Sequence, residues 1–432
     1  MFDRRPLERA AGLGHAAAPS VPATPRERAG NAVRWAAVLL GASIPVSVAL
    51  DNVLLGLILL FWLAGGDYRD KRAAVRRNPV AWLALALLAL FVAGSLYSIG
   101  TPQDVVDALT KATRLLLIPA LIFLLREPVW RERGIAAFLV SMLVTLVLSY
   151  LLWFGLLHPG GWLKGTPLDP VAFKAHITHN VFMAFTAFLL AQAAFDAPTR
   201  RGRIALAALC AAAVANVLLM VPGRTGIVVL LVLFAYFLGR RFGARGFALA
   251  GVALTALVAV VLASPDSMLH RRITLAEEEF VQWRAGVPPD PTSSVGQRLE
   301  LLRNTLEVIR RNPVLGVGTG GFGSAYAELV GPRGASEQNP HNEILMMVAQ
   351  FGFAGFALLA GLFATQWRLA VRLPGRAEPA AARALVLTIA VASVLSSTLV
   401  DHTEGLFFVY MSGLLFAGLA VGAAPSATAP AR

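Results

Sequence analysis

The sequence predicts an all-α, multi-span membrane fold, on three observations. Hydrophobic residues make up 57% of the 432-residue chain and charged residues only 15%, with a mean hydropathy of +0.66. The apolar residues fall in repeated blocks of about 15–25, enough for a helix to cross a hydrocarbon core about 30 Å thick. Basic residues recur in alternate connections between those blocks, the pattern that orients membrane helices. A lipid-facing backbone must satisfy its own hydrogen bonds, so the blocks read as helices; no run of short alternating strands suggests a barrel.

Residues 1–33, rich in Arg, Ala and Pro, read as a disordered basic cytoplasmic tail. Spans 1–9 occupy 34–263, near 34–50, 52–66, 79–97, 112–126, 135–157, 175–196, 204–221, 224–239 and 246–263. A long loop follows over 264–340. Spans 10–12 fill 341–423, near 341–368, 382–400 and 404–423, and 424–432 is a second cytoplasmic tail. The total is about twelve spans. The first two are expected to turn tightly at Asp51-Asn52, and the first block lacks a small-residue cleavage site, so it reads as a retained span. The single cysteine, Cys210, lies in an apolar block and reads as a packed thiol.

Arg4, Arg5, Arg9, Arg26 and Arg28 lie in the tail, and Arg69, Lys71, Arg72, Arg76 and Arg77 follow span two. The same side receives Arg126, Arg131 and Arg133, then Arg200, Arg201 and Arg203, then Arg240, Arg241 and Arg245, and last Arg372, Arg376 and Arg383. The opposite short loops hold only Lys111, Arg114, Lys164, Lys174 and Arg224. Both termini are therefore expected in the cytoplasm of a cell with the protein in its inner membrane, and the long loop outside. Most of the formal charge of +13 is thus a topology signal and not a nucleic-acid-binding surface. Eight arginines in the long loop (271, 272, 284, 298, 303, 310, 311 and 333) fall outside that account and point to an anionic partner.

Within the loop, Leu299, Leu302, Leu306 and Ile309 of 293–312 are expected on one helical face, ended by Asn312-Pro313. A second short helix is expected over 267–284, carrying Glu277, Glu278 and Glu279. The run VLGVGTGGFGSAY (314–326) has glycines suited to close backbone approach. It lacks the GK[ST] ending of a phosphate-binding loop and follows no strand, so no nucleotide is expected there. NPHNEILMMVAQFGFAGF (339–356) then leads into span ten, with His341 at the outer interface.

PGRTG (222–226), GQRLE (296–300), NPVLGVGTGGFGSAY (312–326) and PHNEIL followed by FGFAGF occur in an order that resembles the O-antigen ligase/polymerase superfamily of bacterial envelope glycosyltransferases. The local resemblance covers about 220–360 and is nearest to the lipopolysaccharide O-antigen ligases. It implies transfer of a finished glycan from undecaprenyl pyrophosphate to a sugar hydroxyl of the lipid A-core, at the periplasmic face. It also implies that His341 matches the family's essential histidine and that Arg224 and Arg298 match its two pyrophosphate-binding arginines. Arg303, Arg310 and Arg311 compete for the second of those roles. Asn342, following the histidine, is a further candidate contact.

The implied chemistry suits these side chains. A leaving pyrophosphate gains charge as it departs, and guanidinium groups bind phosphate oxygens in bidentate geometry while staying charged. The attacking hydroxyl must lose a proton, which a neutral imidazole accepts near pH 7. Direct displacement predicts inversion at the anomeric carbon. The donor brings its own energy, so neither a cofactor nor a metal is expected, and the loop has no Asp-x-Asp motif to hold one. His176 and His179, spaced i, i+3, form too small a set for a metal and read as a polar lining, with His179 a candidate substrate contact. Lys174 is a candidate contact for lipid phosphate. Asp401, His402 and Glu404 read as solvated turn residues.

Two relatives of this chemistry, and one reading from another class, stay open. A Wzy-type polymerase uses the same base and clamps, and a protein O-oligosaccharyltransferase uses the same donor, although it often carries a soluble domain after its last span and none follows here. A lipid or polysaccharide transporter is the alternative from another class, but no internal repeat supports it. Orientation can be tested directly. In a Cys210→Ala background, a cysteine at Lys164 should react with a membrane-impermeant maleimide added outside spheroplasts, and one at Arg201 only after permeabilisation. The opposite pattern would invert the topology.

Overall fold

The computed structural model describes residues 25–263, 268–287, 294–331, 337–399 and 401–421. Among them the regular elements are helical, apart from two isolated bridges, Gly160 with Leu163 and Thr166 with Asp169. In order they are α1 (Pro25–Ser43), α2 (Val48–Ala64), α3 (Tyr68–Arg77), α4 (Pro79–Ser95), α5 (Pro102–Ala112), α6 (Leu117–Leu124), α7 (Pro128–Trp153), α8 (His176–Asp196) and α9 (Arg200–Ala215). Then come α10 (Arg224–Phe242), α11 (Ala244–Leu262), α12 (Met268–Arg284), α13 (Ser294–Arg311), α14 (Phe322–Val330), α15 (Glu343–Leu369), α16 (Ala377–Leu395) and α17 (His402–Phe416). The basic tail expected over 1–33 is helical from Pro25 onward; its earlier part, Arg333 and the tail at 424–432 lie outside the described residues.

Six of these helices are long and apolar enough to cross a membrane, and α2 with α3, bent by 113°, makes up to seven. The chain is a multi-span membrane protein, but the expected twelve spans are not all present as such. Hydropathy registers apolar blocks and does not see where helices stop. The block at 112–126 divides into a 3-10 turn at Thr113–Leu116 and the 8-residue α6, and amphipathic α5 runs into it, ending at Ala112. The 17-residue α4 and 15-residue α17 are shorter than the six; at about 1.5 Å per residue α17 covers only about 22 Å. The first hairpin also turns earlier than expected. Ser47 caps α2 by accepting the Leu50 N–H, so Asp51 lies in the first helical turn and is fully buried.

The membrane stretch of α8 is 78% buried and that of α9 only 22%, so α8 forms the centre and α9 an outer wall. Phe138 of α7, Phe182 and Phe185 of α8 and Phe407 of α17 form one aromatic cluster, with centroids 4.5 to 6.3 Å apart. Several polar side chains buried between helices bond one another, since lipid offers them no partner. Arg131 Nε donates to Glu378 Oε1 at 2.9 Å, and Gln366 Nε2 donates to Ser412 Oγ at 2.8 Å.

Between α11 and α15 the chain builds α12, α13 and α14. The expected helices at 267–284 and 293–312 match α12 and α13 to within a residue at each end. The buried face of α13 is rotated, however: Leu301, Thr305 and Val308 pack inward, while Leu302 and Leu306 stay exposed. Thr305 fits inside because its hydroxyl donates to the Leu301 carbonyl at 2.6 Å. Glu279 of α12 accepts the Val295 and Gly296 N–H groups at 2.8 and 3.4 Å, which satisfies free amides at the start of α13.

The glycine run joins this assembly to the membrane helices. Val317 and Gly318 donate their N–H groups to the Ala349 and Gln350 carbonyls of α15, and Thr319 donates to the Gly94 carbonyl at the end of α4. Gly320 donates to the side chain of Gln350 at 2.6 Å. These amides are bonded to protein oxygens, which accounts for the glycines as packing devices. A Cβ on Gly318, where φ is +82°, would lie 2.4 Å from Ser98 Cα. Gly318→Ala should therefore destabilise the protein by at least about 1–3 kcal/mol from backbone strain alone. The check is thermal unfolding in detergent; an unchanged midpoint would contradict this reading.

Candidate functional site

His341 lies just before α15 and is exposed, with φ of +50°. A left-handed non-glycine backbone is uncommon, though histidine tolerates it better than most residues, and it persists only where its surroundings hold it. Here they do. The His341 N–H donates to Asn339 Oδ1 at 2.9 Å, and the Ser397 hydroxyl donates to the same oxygen. Asn342 caps α15 by accepting the Leu345 N–H at 3.0 Å, and its own amide donates to the Val394 carbonyl at 2.9 Å. Glu343, buried, accepts the Leu399 N–H at 2.9 Å. The start of α15 is thus fastened to the connection between α16 and α17.

That connection brings Asp401 within electrostatic reach of His341. Asp401 is open to solvent on one side and crowded by protein on the other. This desolvation raises its pKa above the usual carboxylate range, against the pull of Lys111, His341 and Arg114. Arg114 donates to the Asp401 and His402 carbonyls at 3.3 and 3.4 Å and meets His402 Nδ1 at 2.9 Å, so it braces the start of α17.

Two cavities flank this segment. One, of ≈ 270 Å³, lies between α4, α5, α15 and α17; Phe91, Leu115, Met346 and Val409 line it, with Lys111 and Arg114 on its wall. The other, of ≈ 570 Å³, is bordered by the 154–175 connection and the start of α17. Sequence reasoning treated Asp401, His402 and Glu404 as solvated turn residues and Arg114 as a topology residue. The available signal was the dense polar string Asp401-His402-Thr403-Glu404 entering an otherwise apolar segment.

Arg224 opens α10, and its position is set by glycines on both sides. Asn180 of α8 donates to the Val221 and Gly223 carbonyls at 3.1 and 3.3 Å, and a Cβ at Gly223 or Gly226 would come within 2.4 Å of Asn180. The Arg224 side chain is exposed at the N-terminus of its helix, a place suited to anions. Arg298 is exposed on α13, which packs on α15. Neither arginine has a carboxylate partner among the described residues. Its competitors differ. Arg310 and Arg311 both bond Glu307, at 2.7 and 3.1 Å, and Arg303 lies 3.9 Å from Glu300. The two clamping arginines hold the Glu307 carboxyl at about 2, below its ordinary range.

The two remaining candidates lie deeper than expected. His179 is 4% exposed, and its Nε2 meets Asn216 Oδ1 at 2.8 Å; Asn216 Nδ2 donates to Ser149 Oγ, which donates to the Pro170 carbonyl. This chain ties α7, α8 and the end of α9 together and places the ring within the fold. Lys174 is turned inward on Asp51, 3.6 Å away, with its side chain 7% exposed, and is not at the lipid surface. Burial lowers its pKa, and Asp51 opposes that shift. Among the described residues no three His, Cys, Asp or Glu side chains are grouped to hold a metal.

Residues 209–360 match the protein-family model described as O-Antigen ligase. The matched segment, roughly a third of the chain, contains Arg224, Arg298, Arg303, His341 and Asn342, and is similar to the O-antigen ligase family over that stretch. No curated protein matches the chain. Among solved structures, a chain from "Structural coordination of polymerization and crosslinking by a peptidoglycan synthase complex" is similar at 18% identity. The alignment covers 79% of this chain and 96% of that one, with a TM-score of 0.46.

The burial of His179 can be checked by substitution. Asn216→Leu should cost about 1–3 kcal/mol, since it leaves the His179 ring without its partner. Thermal unfolding should report the loss, and His179→Leu together with Asn216→Leu should recover part of it. A pair of variants with normal stability but altered substrate affinity would return His179 to the surface of the site.

Proposed function

We propose that this protein is an O-antigen ligase, transferring a glycan from undecaprenyl pyrophosphate to a sugar hydroxyl of the lipid A-core at the periplasmic face of the inner membrane. The observation that carries the reading is His341, exposed and held in a left-handed conformation, with the Asp401 carboxylate in reach, within a segment that matches the O-Antigen ligase model. The unpaired Arg224 and Arg298 support it.

In this reading the acceptor oxygen attacks the anomeric carbon while His341 takes its proton. The bond from that carbon to the pyrophosphate oxygen breaks, and Arg224 and Arg298 receive the departing negative charge. Asp401 offsets the positive charge that the imidazole acquires, the part a carboxylate plays behind a histidine base in other enzymes. Attack opposite the leaving group inverts the anomeric centre. Asn342 positions the base by capping α15, and Arg303 is less suited to phosphate because Glu300 already engages it.

The test is a lipopolysaccharide gel from a deletion strain carrying each variant. His341→Ala should lower transfer by at least about 100-fold, the scale of a lost general base, with normal protein abundance. Arg224→Ala and Arg298→Ala should each weaken donor use, and lysine should restore only part of it because the bidentate fork is lost. Without the protein, unmodified lipid A-core should appear alongside polymer retained on undecaprenyl pyrophosphate. Core bearing single repeat units would instead mean a polymerase, and a normal ladder with His341→Ala would overturn the base assignment.

A further inference from the structure

The larger cavity beside α17 touches the chemistry above only through Asp401, yet it has the features of a binding site. Lys164 borders it and is exposed, and Lys174 lies deeper in its wall, 7% exposed and ion-paired with Asp51 at 3.6 Å. Asp401 and Glu404 border it too, so its wall offers both strong donors and strong acceptors. At the rim Trp162 is 66% exposed and stacks on Phe173, with centroids 5.6 Å apart and planes 21° from parallel.

The platform is held in place. Lys164 N–H donates to the Ala172 carbonyl at 3.0 Å, Gly160 and Leu163 exchange backbone hydrogen bonds, and buried Leu163 packs with Leu152 and Ala172. A Cβ at Gly165 would lie 2.5 Å from the Val171 carbonyl oxygen, so the two arms of this loop press closely together. An exposed tryptophan on a folded loop above a cavity of ≈ 570 Å³ fits the size of ordinary ligand pockets, about 300–1,000 Å³.

The lining selects among ligand classes. A bare phosphate would suit Lys164 and Lys174 but would face two carboxylates. A lipid tail would leave the Lys164 ammonium unbonded. A sugar satisfies both sets, because each hydroxyl donates and accepts, and its C–H face lies against an aromatic ring. We propose that this cavity holds the terminal sugars of the acceptor glycan, stacked on Trp162 and hydrogen-bonded by the exposed Lys164. Because Asp401 borders the cavity and also lies within electrostatic reach of His341, the bound sugar would approach the base from this side. The proposal rests on the ligase reading for the identity of its glycan.

The test uses the full-length protein in nanodiscs, with deacylated lipid A-core oligosaccharide as the probe and a photoreactive undecaprenyl pyrophosphate as a separate donor label. Trp162→Ala and Lys164→Ala should each weaken oligosaccharide binding by at least 10-fold, on the order of one lost stacking or charged contact. Donor labelling should stay at the wild-type level, and Trp162→Phe should retain binding. Oligosaccharide affinity within twofold of wild type for Trp162→Ala, no binding by the wild-type protein, or a matching loss of donor labelling would each overturn the proposal. Trp162-dependent binding by a protein that transfers no glycan would leave the cavity assignment standing and remove the ligase reading.

Discussion

The backbone hydrogen bonds between the glycine-rich turn after α13 and the broken region of α15 hold this structure's working end together. At Gly352 the backbone leaves the helical region, with φ +59° and ψ −149°, and the carbonyls of Ala349 and Gln350 accept from Val317 and Gly318. Unbonded carbonyls in a membrane helix would be costly, so the turn and the break are mutually required. Glycine is needed on both sides of the joint, since a Cβ on Gly352 would lie 2.1 Å from the Val314 oxygen. The α12–α14 assembly is thereby part of the membrane fold and not a tethered appendage. Arg298 on α13 and His341 before α15 consequently belong to one rigid arrangement.

The start of α17 is the second organising feature. It separates an apolar cavity, with Leu399 and Gly405 on its wall, from a polar one bordered by Asp401 to Glu404. Arg114 braces it from one side and Glu343 from another. A membrane transferase that joins a lipid-linked glycan to a second lipid-borne sugar must bring two amphipathic substrates to one base. On the ligase reading proposed above, cavities of opposite character on either side of Asp401 would suit that task, because the partition carries a carboxylate in electrostatic reach of His341.

Most helix positions were legible because local patterns decide them. Periodicity and capping signals placed α12 and α13 closely, and the candidate residues His341, Arg224 and Arg298 lie in short motifs. What escaped depended on long-range packing. The turn at residues 44–47 puts Asp51 inside α2, where hydropathy placed it in a connection. The inward face of α13 follows α15 and α14, so Thr305 is buried while Leu302 and Leu306 are not. Asp401 looked like a loop carboxylate because nothing local reveals the α15 start lying beside it. His179 looked available because its partner Asn216 belongs to another helix.

The Asp51–Lys174 pair ties these threads together. Taking two opposite charges out of water costs more than their attraction returns unless the geometry is good and the remaining valences are filled. Here the ions stand 3.6 Å apart, Ser43 donates to one Asp51 oxygen at 2.7 Å, and the other oxygen and Lys174 Nζ have no hydrogen bond. The separation and the unfilled valences leave this ion pair short of the geometry that would repay its burial, so it fastens α2 to the loop before α8 at a cost. His402 Nε2 stands 3.9 Å from the same Asp51 oxygen, so this carboxylate links α2, the loop before α8 and the start of α17. The wall of the polar cavity is thereby fixed by three separate segments of the chain, which hold Lys174, His402 and the loop bearing Trp162 in one arrangement.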